Sequence, residues 1–285
     1  MKDFIVLEND SLRIKVLHPI NSKYYRSRFN HSGFISDVWY KGVKFSEYER
    51  SQPNFPTTEG SGLCCQYDFF KRGEKPQIGE KILRPGIGIM EFDPERKSED
   101  IIPFDTKFSF DKTSVTFETV TPEIGGFAYS EKRVIKLIGE EIVETVTLKN
   151  IGKNKITSKE YCHNFLSLGG KDICPDYAMQ VYCIENPNGF CDNDMYFDDD
   201  KNEFTFKDYP SKTYYFRTTE TKESDIAFKM YDKNGTAFCY EKISFKPSNV
   251  AVWGDYYCMC CEVFVPIELE ANEETSWQRT WGFGI

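Results

Sequence analysis

The chain has 285 residues, 40% of them hydrophobic, enough to bury a large core, and its formal net charge of -9 argues against nucleic acid or an anionic membrane as a partner. Phe (24) and Tyr (17) are abundant and turn residues recur at short intervals, a composition that favours strands over helices. No Gly/Ser-rich or Pro-rich tract divides the sequence and no fixed period repeats, so a single domain over residues 1–285 is expected.

Residues 1–10 carry acids on both sides of a short apolar run, which is not the pattern of a signal peptide. Nothing approaches the roughly 18 apolar residues of a membrane span. A soluble, cytoplasmic protein is the expectation. The 10 cysteines show no repeated spacing, and Cys64-Cys65 and Cys260-Cys261 are neighbours in strand-like runs, where adjacent side chains point to opposite faces. Cys258 and Cys261, three apart on a strand, are about 10 Å from each other, too far for one zinc ion, so reduced buried thiols are expected and no metal. The basic pairs Lys71-Arg72 and Lys132-Arg133 read as solvated surface. Gly86-Ile87-Gly88 lacks the third glycine and the following helix of a nucleotide fingerprint, and no cofactor is implied.

Alternation marks several strands: Val115 and Phe117; Phe204 and Phe206 against Glu203 and Thr205; Ile226, Phe228 and Met230 against Lys229 and Tyr231. Residues 145–148 and 161–165 are strand-like and separated by the turn formers Asn150, Gly152 and Asn154, which predicts two consecutive antiparallel strands. Residues 192–200 read as an acidic loop. With no segment of clear helical period, the fold class is all-β, a large antiparallel sandwich.

Two residues carry chemistry. His163, one of three histidines, sits in Tyr161-Cys162-His163-Asn164-Phe165 and is either a core imidazole bonded to a backbone carbonyl or a proton donor and acceptor near neutral pH. Glu262 is the single charge in the ten-residue run 256–265, whose lack of polar alternation suggests a strand covered on both faces. Desolvation strengthens a carboxylate as a base; the competing reading puts Glu262 at a strand end or beside an arginine. Together they form an acid and a base on separate strands of one sheet system.

The chain resembles the aldose 1-epimerase (galactose mutarotase) family, in the divergent branch with a histidine-asparagine-phenylalanine motif. Four segments carry the resemblance in order: residues 28–35 with Gly42 and Phe45, residues 79–88, residues 160–166, and Glu262 followed by residues 277–283. It implies the galactose mutarotase-like super-sandwich with an open sugar cleft, His163 as general acid and Glu262 as general base. The expected ligand is a small sugar, free or phosphorylated. Arg28 and Arg84 are candidate hydroxyl or phosphate binders, or strand-edge anchors. Asn164 belongs to the motif and is a further candidate contact. Trp253 can stack on a sugar's apolar face or fill core, and Asp255 can bind a hydroxyl or end a turn.

The chain departs from that branch at Asn30-His31, where an aspartate-tryptophan pair is usual, and at Gln66-Tyr67, where an acid usually precedes the aromatic. His31 reads as a surface loop histidine or a substitute substrate contact. The rival to an isomerase is a carbohydrate-binding protein on the same scaffold without turnover. A glycoside hydrolase needs two carboxyl groups about 5 to 9.5 Å apart, and only one buried carboxylate is evident.

Overall fold

The computed structural model describes residues 4–19, 28–49, 60–69, 76–92 and 101–285. Its first part forms β1 (Phe4–Glu8), β2 (Leu12–Leu17), β3 (Ile35–Tyr40), β4 (Val43–Lys44), β5 (Gly62–Gln66), β6 (Lys81–Arg84), β7 (Gly88–Glu91) and β8 (Ile102–Pro103). There follow β9 (Thr106–Phe110), β10 (Ser114–Val120), β11 (Tyr129–Ile138), β12 (Glu141–Asn150), β13 (Ile156–Phe165), β14 (Tyr177–Val181), β15 (Cys191–Asp192) and β16 (Met195–Asp198). The last part forms β17 (Glu203–Phe206), β18 (Tyr214–Thr218), β19 (Ile226–Asp232), β20 (Phe238–Ile243), β21 (Asn249–Gly254), β22 (Met259–Leu269) and β23 (Glu274–Gly284).

These strands assemble into two large antiparallel sheets and a small one. The first runs β1-β2-β3-β5-β13-β22-β21-β18 with β4 beside β3; the second runs β15-β16-β17-β14-β19-β20-β23-β12-β11-β10-β9. β6, β7 and β8 form the third. The architecture is the expected all-β class, built of large antiparallel sheets. Among the described residues no helix is long and apolar enough to cross a membrane.

Period-two patterning explains most of the core. β11 and β12 alternate buried and less buried residues along their whole length, and Val115 and Phe117 of β10 are fully buried, as their alternation predicts. Ile226 departs from the pattern. A register shift lies between Ile226 and Phe228, so Ala227 is buried beside Phe228 and Met230 while Ile226 faces out. The adjacent thiols separate as expected, Cys65 and Cys261 into the main core and Cys64 and Cys260 into a smaller cluster on the other face. Cys258 belongs to the turn before β22 rather than to the strand.

The turn at residues 151–155 does not close a hairpin. β12 pairs with β11 and β23, whereas β13 pairs with β5 and β22, so the chain crosses here from one sheet to the other. Asn150 stabilises the crossing: its Nδ2 donates to Asn154 O at 2.8 Å and to Leu269 O at 3.0 Å. Two consecutive strands that each have a buried face are as well satisfied across a sandwich as side by side, and the turn residues alone do not distinguish the two.

The sandwich interior holds a network of charges, one of which, Arg133, was expected on the surface with its neighbour Lys132. Arg133 is fully buried, not solvated, and Arg279 likewise; Lys132 is exposed, and Lys71 and Arg72 lie outside the described residues. Arg133 Nη1 donates to Glu144 at 2.8 Å and its Nε to Glu131 at 3.3 Å. Arg279 Nη1 donates to Glu241 and its Nη2 to Glu160, both at 2.8 Å. Glu160, on β13, thus joins the nine-stranded sheet to two strands of the other.

This network couples stability to pH. Burial, only partly offset by Arg279, pushes the Glu241 carboxyl up from its ordinary 4.5 to about 7. Between those values Glu241 is protonated when folded and ionised when unfolded, so the unfolded state binds fewer protons and stability falls as pH rises. Burial raises Glu144 in the same sense. Glu160 behaves oppositely: burial acts to raise it, but Arg279 and Arg133 outweigh that and hold it low, so its contribution is lost as pH falls below 4.5 through its folded value. Urea midpoints are therefore expected to be higher at about pH 5 than at about pH 8, and Glu241→Gln to flatten that difference. An equal slope in the variant contradicts the assignment.

Candidate active site

β13 presents two faces of different character. Glu160, Cys162 and Asn164 point into the sandwich, and Tyr161, His163 and Phe165 point away from it, as alternation requires. The register sets what His163 meets. β13 is opposite β22 at Glu160↔Val265 and again at Leu166↔Met259, and the same register between them places His163 opposite Glu262 and Tyr161 opposite Phe264. On its other side β5 sets Cys64 beside His163 and Gln66 beside Tyr161.

The two chemistry-bearing side chains meet. His163 Nε2 lies 2.7 Å from Glu262 Oε1, both groups being largely buried. A carboxylate only accepts, so the Nε2 hydrogen is donated to Glu262. Nδ1 is buried without a hydrogen-bond partner among the described residues. The imidazole is held by rings: Phe165 stacks on it at 4.7 Å and 6°, while Phe29 and Trp253 present edges at 5.7 and 5.9 Å.

Arg28 completes the cluster. Its Nη2 is 3.1 Å from His163 Nε2, its Nη1 donates to both Glu49 oxygens at 3.0 and 2.9 Å, and its Nε donates to Gln66 Oε1 at 3.4 Å. Burial opposes the guanidinium charge, but Glu49 and Tyr161 overcome it and hold the group above its ordinary value. Arg28 stays cationic. Cys64 and Cys260, on the same face, are neutral thiols, pushed well up by burial, so neither supplies a nucleophile.

The remaining predicted residues fall at different depths. Arg84 stands behind Arg28, with Nη1 paired to Asp68 and Nη2 donating to the Arg28 carbonyl at 3.3 Å. Trp253, on β21 opposite Cys260, is half-buried on the His163 face. Asp255 is engaged in the turn before β22, its Oδ1 accepting from Tyr257 N at 2.8 Å and Cys258 N at 3.1 Å. Asn164 is a correction. As the immediate neighbour of His163 on a strand it points the other way, fully buried, and its Nδ2 donates to Cys261 O at 2.7 Å and Glu241 at 3.3 Å. It anchors the back of β13 and does not reach the site. His31 is also corrected: it is 5% exposed, with its backbone N–H donating to Gly86 O at 2.9 Å.

Sequence reasoning missed Glu49, Tyr161 and Phe264. Glu49 is buried while Tyr48 next to it is exposed, an alternation that a run as short as Glu47-Tyr48-Glu49 does not distinguish from an ordinary charged surface. Glu49 is a second buried carboxylate at the site, and among the described residues five further buried glutamates lie elsewhere, so the expectation of one buried carboxylate was too low. Tyr161 donates to Gln66 Oε1 at 2.8 Å and stacks on Phe264 at 4.5 Å, which explains why Gln66 suits a position beside an arginine that already has Glu49. Among the described residues no group of three or more His, Cys, Asp or Glu is placed to hold a metal.

No protein-family model matches the sequence, and no curated protein matches it. Solved structures do share the fold. A galactose mutarotase-like protein from Lactobacillus casei is 12% identical with a TM-score of 0.61, covering 99% of this chain and 100% of that one. A galactose mutarotase-like protein from Clostridium acetobutylicum is 11% identical with a TM-score of 0.60, over 99% and 95% of the two chains. Galactose 1-epimerase from Lactobacillus acidophilus is 13% identical with a TM-score of 0.55, over 99% and 94%. At these identities the similarity establishes a common architecture.

Proposed function

We propose that the protein is a sugar mutarotase, an aldose 1-epimerase-like isomerase that interconverts the α and β anomers of an aldose by general acid-base ring opening and closure. The observation that carries this reading is the 2.7 Å His163–Glu262 pair on facing strands. Ring opening removes a proton from the anomeric hydroxyl and adds one to the ring oxygen, two atoms on the same carbon, and so needs a base and an acid side by side. The Glu262 carboxylate takes the O1 proton as the C1–O5 bond breaks, and His163 Nε2–H protonates O5. Rotation about C1–C2 turns the aldehyde, and the reverse transfers close the ring on its other face. Sugar entry exchanges the His163–Glu262 hydrogen bond for one from O1 to Glu262 and one from His163 to O5.

Arg28 binds and orients at this centre. A lysine ammonium cannot bond both Glu49 oxygens and Gln66 as the guanidinium fork does, so Arg28→Lys is expected to lower kcat/KM about 10- to 100-fold. A loss below threefold by steady-state polarimetry contradicts that role. The reduced thiols, nine of ten buried, suit a reducing compartment, and the proposed location is the cytoplasm. The defining experiment follows a freshly dissolved single anomer by polarimetry or NMR. Catalysed equilibration supports the isomerase; sugar binding without acceleration assigns the protein to the carbohydrate binders.

A further inference from the structure

The His163 face continues past the acid-base pair as a regular strip. Two residues along β13 from His163, about 7 Å at strand spacing, Tyr161 and Phe264 lie side by side as a stacked aromatic pair at 4.5 Å and 27°. Beyond them Lys159 faces Pro266 and Thr157 faces Glu268. A groove of ≈ 480 Å³ opens here, lined among others by Gln66, Asp68, Lys159, Tyr161, Pro266 and Glu268. In the opposite direction the face is filled: Phe29, Phe34, Phe165, Cys258 and Cys260 pack into a buried cluster, with Trp253 against it. A sugar ring seated at the pair therefore has a wall behind it, and ahead, past the Tyr161 ring, lies the groove, which Tyr161 and Gln66 line and His163 and Glu262 do not.

From this continuity we propose that the groove is a second sugar subsite, and that the substrate is a reducing disaccharide or longer oligosaccharide whose anomeric carbon lies at His163 and Glu262. This inference rests on the mutarotase reading. The groove has the two features a neutral glycosyl unit requires. Tyr161, half-buried, and Pro266, exposed, offer apolar surface for the C–H face of a pyranose. Around them stand groups that bond hydroxyls: the carboxylate of Glu268 and that of Asp68, which also pairs with Arg84, the ammonium of Lys159, which reaches Asn249 Oδ1 at 3.0 Å, and the hydroxyl of Thr157. A monosaccharide at the acid-base pair leaves this surface unused.

The test compares initial anomer-equilibration rates of maltose, cellobiose and lactose with those of glucose and glucose 6-phosphate. At least one disaccharide is expected to show a kcat/KM about tenfold above glucose, the scale of one stacked-ring contact. Thr157→Trp, which fills the groove, is expected to bring the disaccharide-to-glucose ratio down to about one, a ratio that needs no assumption about the folded fraction. Glucose turned over as well as every disaccharide, or glucose 6-phosphate preferred to all of them, overturns the subsite and leaves the mutarotase intact. If no sugar is turned over, the mutarotase reading fails and binding decides the groove. Tighter binding of a disaccharide than of glucose by calorimetry, abolished in Thr157→Trp, then supports it, and equal binding overturns it.

Discussion

Glu262→Gln is expected to lower the rate of anomer equilibration by about 10²- to 10⁴-fold, and His163→Asn by a similar factor, with both proteins folded. Glutamine keeps the shape of Glu262 and removes its ability to take the O1 proton. Asparagine at 163 keeps a hydrogen bond toward Glu262 but has no proton to deliver to O5. Because each transfer is useful only if the other accompanies it, the two changes are not additive, and the double variant is expected to be little slower than the worse single one. Single-anomer polarimetry with a far-UV spectrum on the same samples reads both quantities. Retention of more than a tenth of the rate in either single variant would remove that residue from the acid-base pair. Multiplied losses in the double variant would show that the two act independently.

The pair was legible because the relevant information is local. One histidine in a strand with aromatic neighbours and one glutamate in an apolar run each stand out against their surroundings, and alternation fixes which neighbours share their face. The same locality misled where a motif was read as a unit. Asn164 follows His163 in the resembling segment, yet on a strand the next residue belongs to the opposite face, here bonded to Glu241 and the Cys261 carbonyl. Long-range partners were beyond reach. Arg279 meets Glu160 across 119 residues of sequence, and nothing in either neighbourhood separates a buried ion pair from a solvated charge. The fold class followed from alternation and turn spacing, but the crossing of the chain between sheets at residues 151–155 depends on which strands already occupy each edge.

That buried network bears on the site through the back of β13. Glu160 and Asn164 flank His163 on the interior face, and both connect to the Arg279–Glu241 pair. Arg279→Met is therefore expected to cost about 3 to 5 kcal/mol of stability, because Glu160 and Glu241 keep their burial and lose the cation that each contacts at 2.8 Å. The remaining bond from Arg279 Nη2 to Val263 O at 2.8 Å is lost with it, which leaves a β22 carbonyl next to Glu262 unpaired. Urea unfolding at about pH 8, where Glu241 is mostly ionised, reads the largest effect, and at about pH 5 its protonation makes the loss smaller. Adding Glu160→Gln and Glu241→Gln to Arg279→Met is expected to recover a substantial part of the stability, since neutral amides are cheaper to bury than unpaired carboxylates. A single-variant loss under about 1 kcal/mol, or no recovery in the triple variant, would show that the carboxylates find other partners and that the network does not clamp the strand carrying His163.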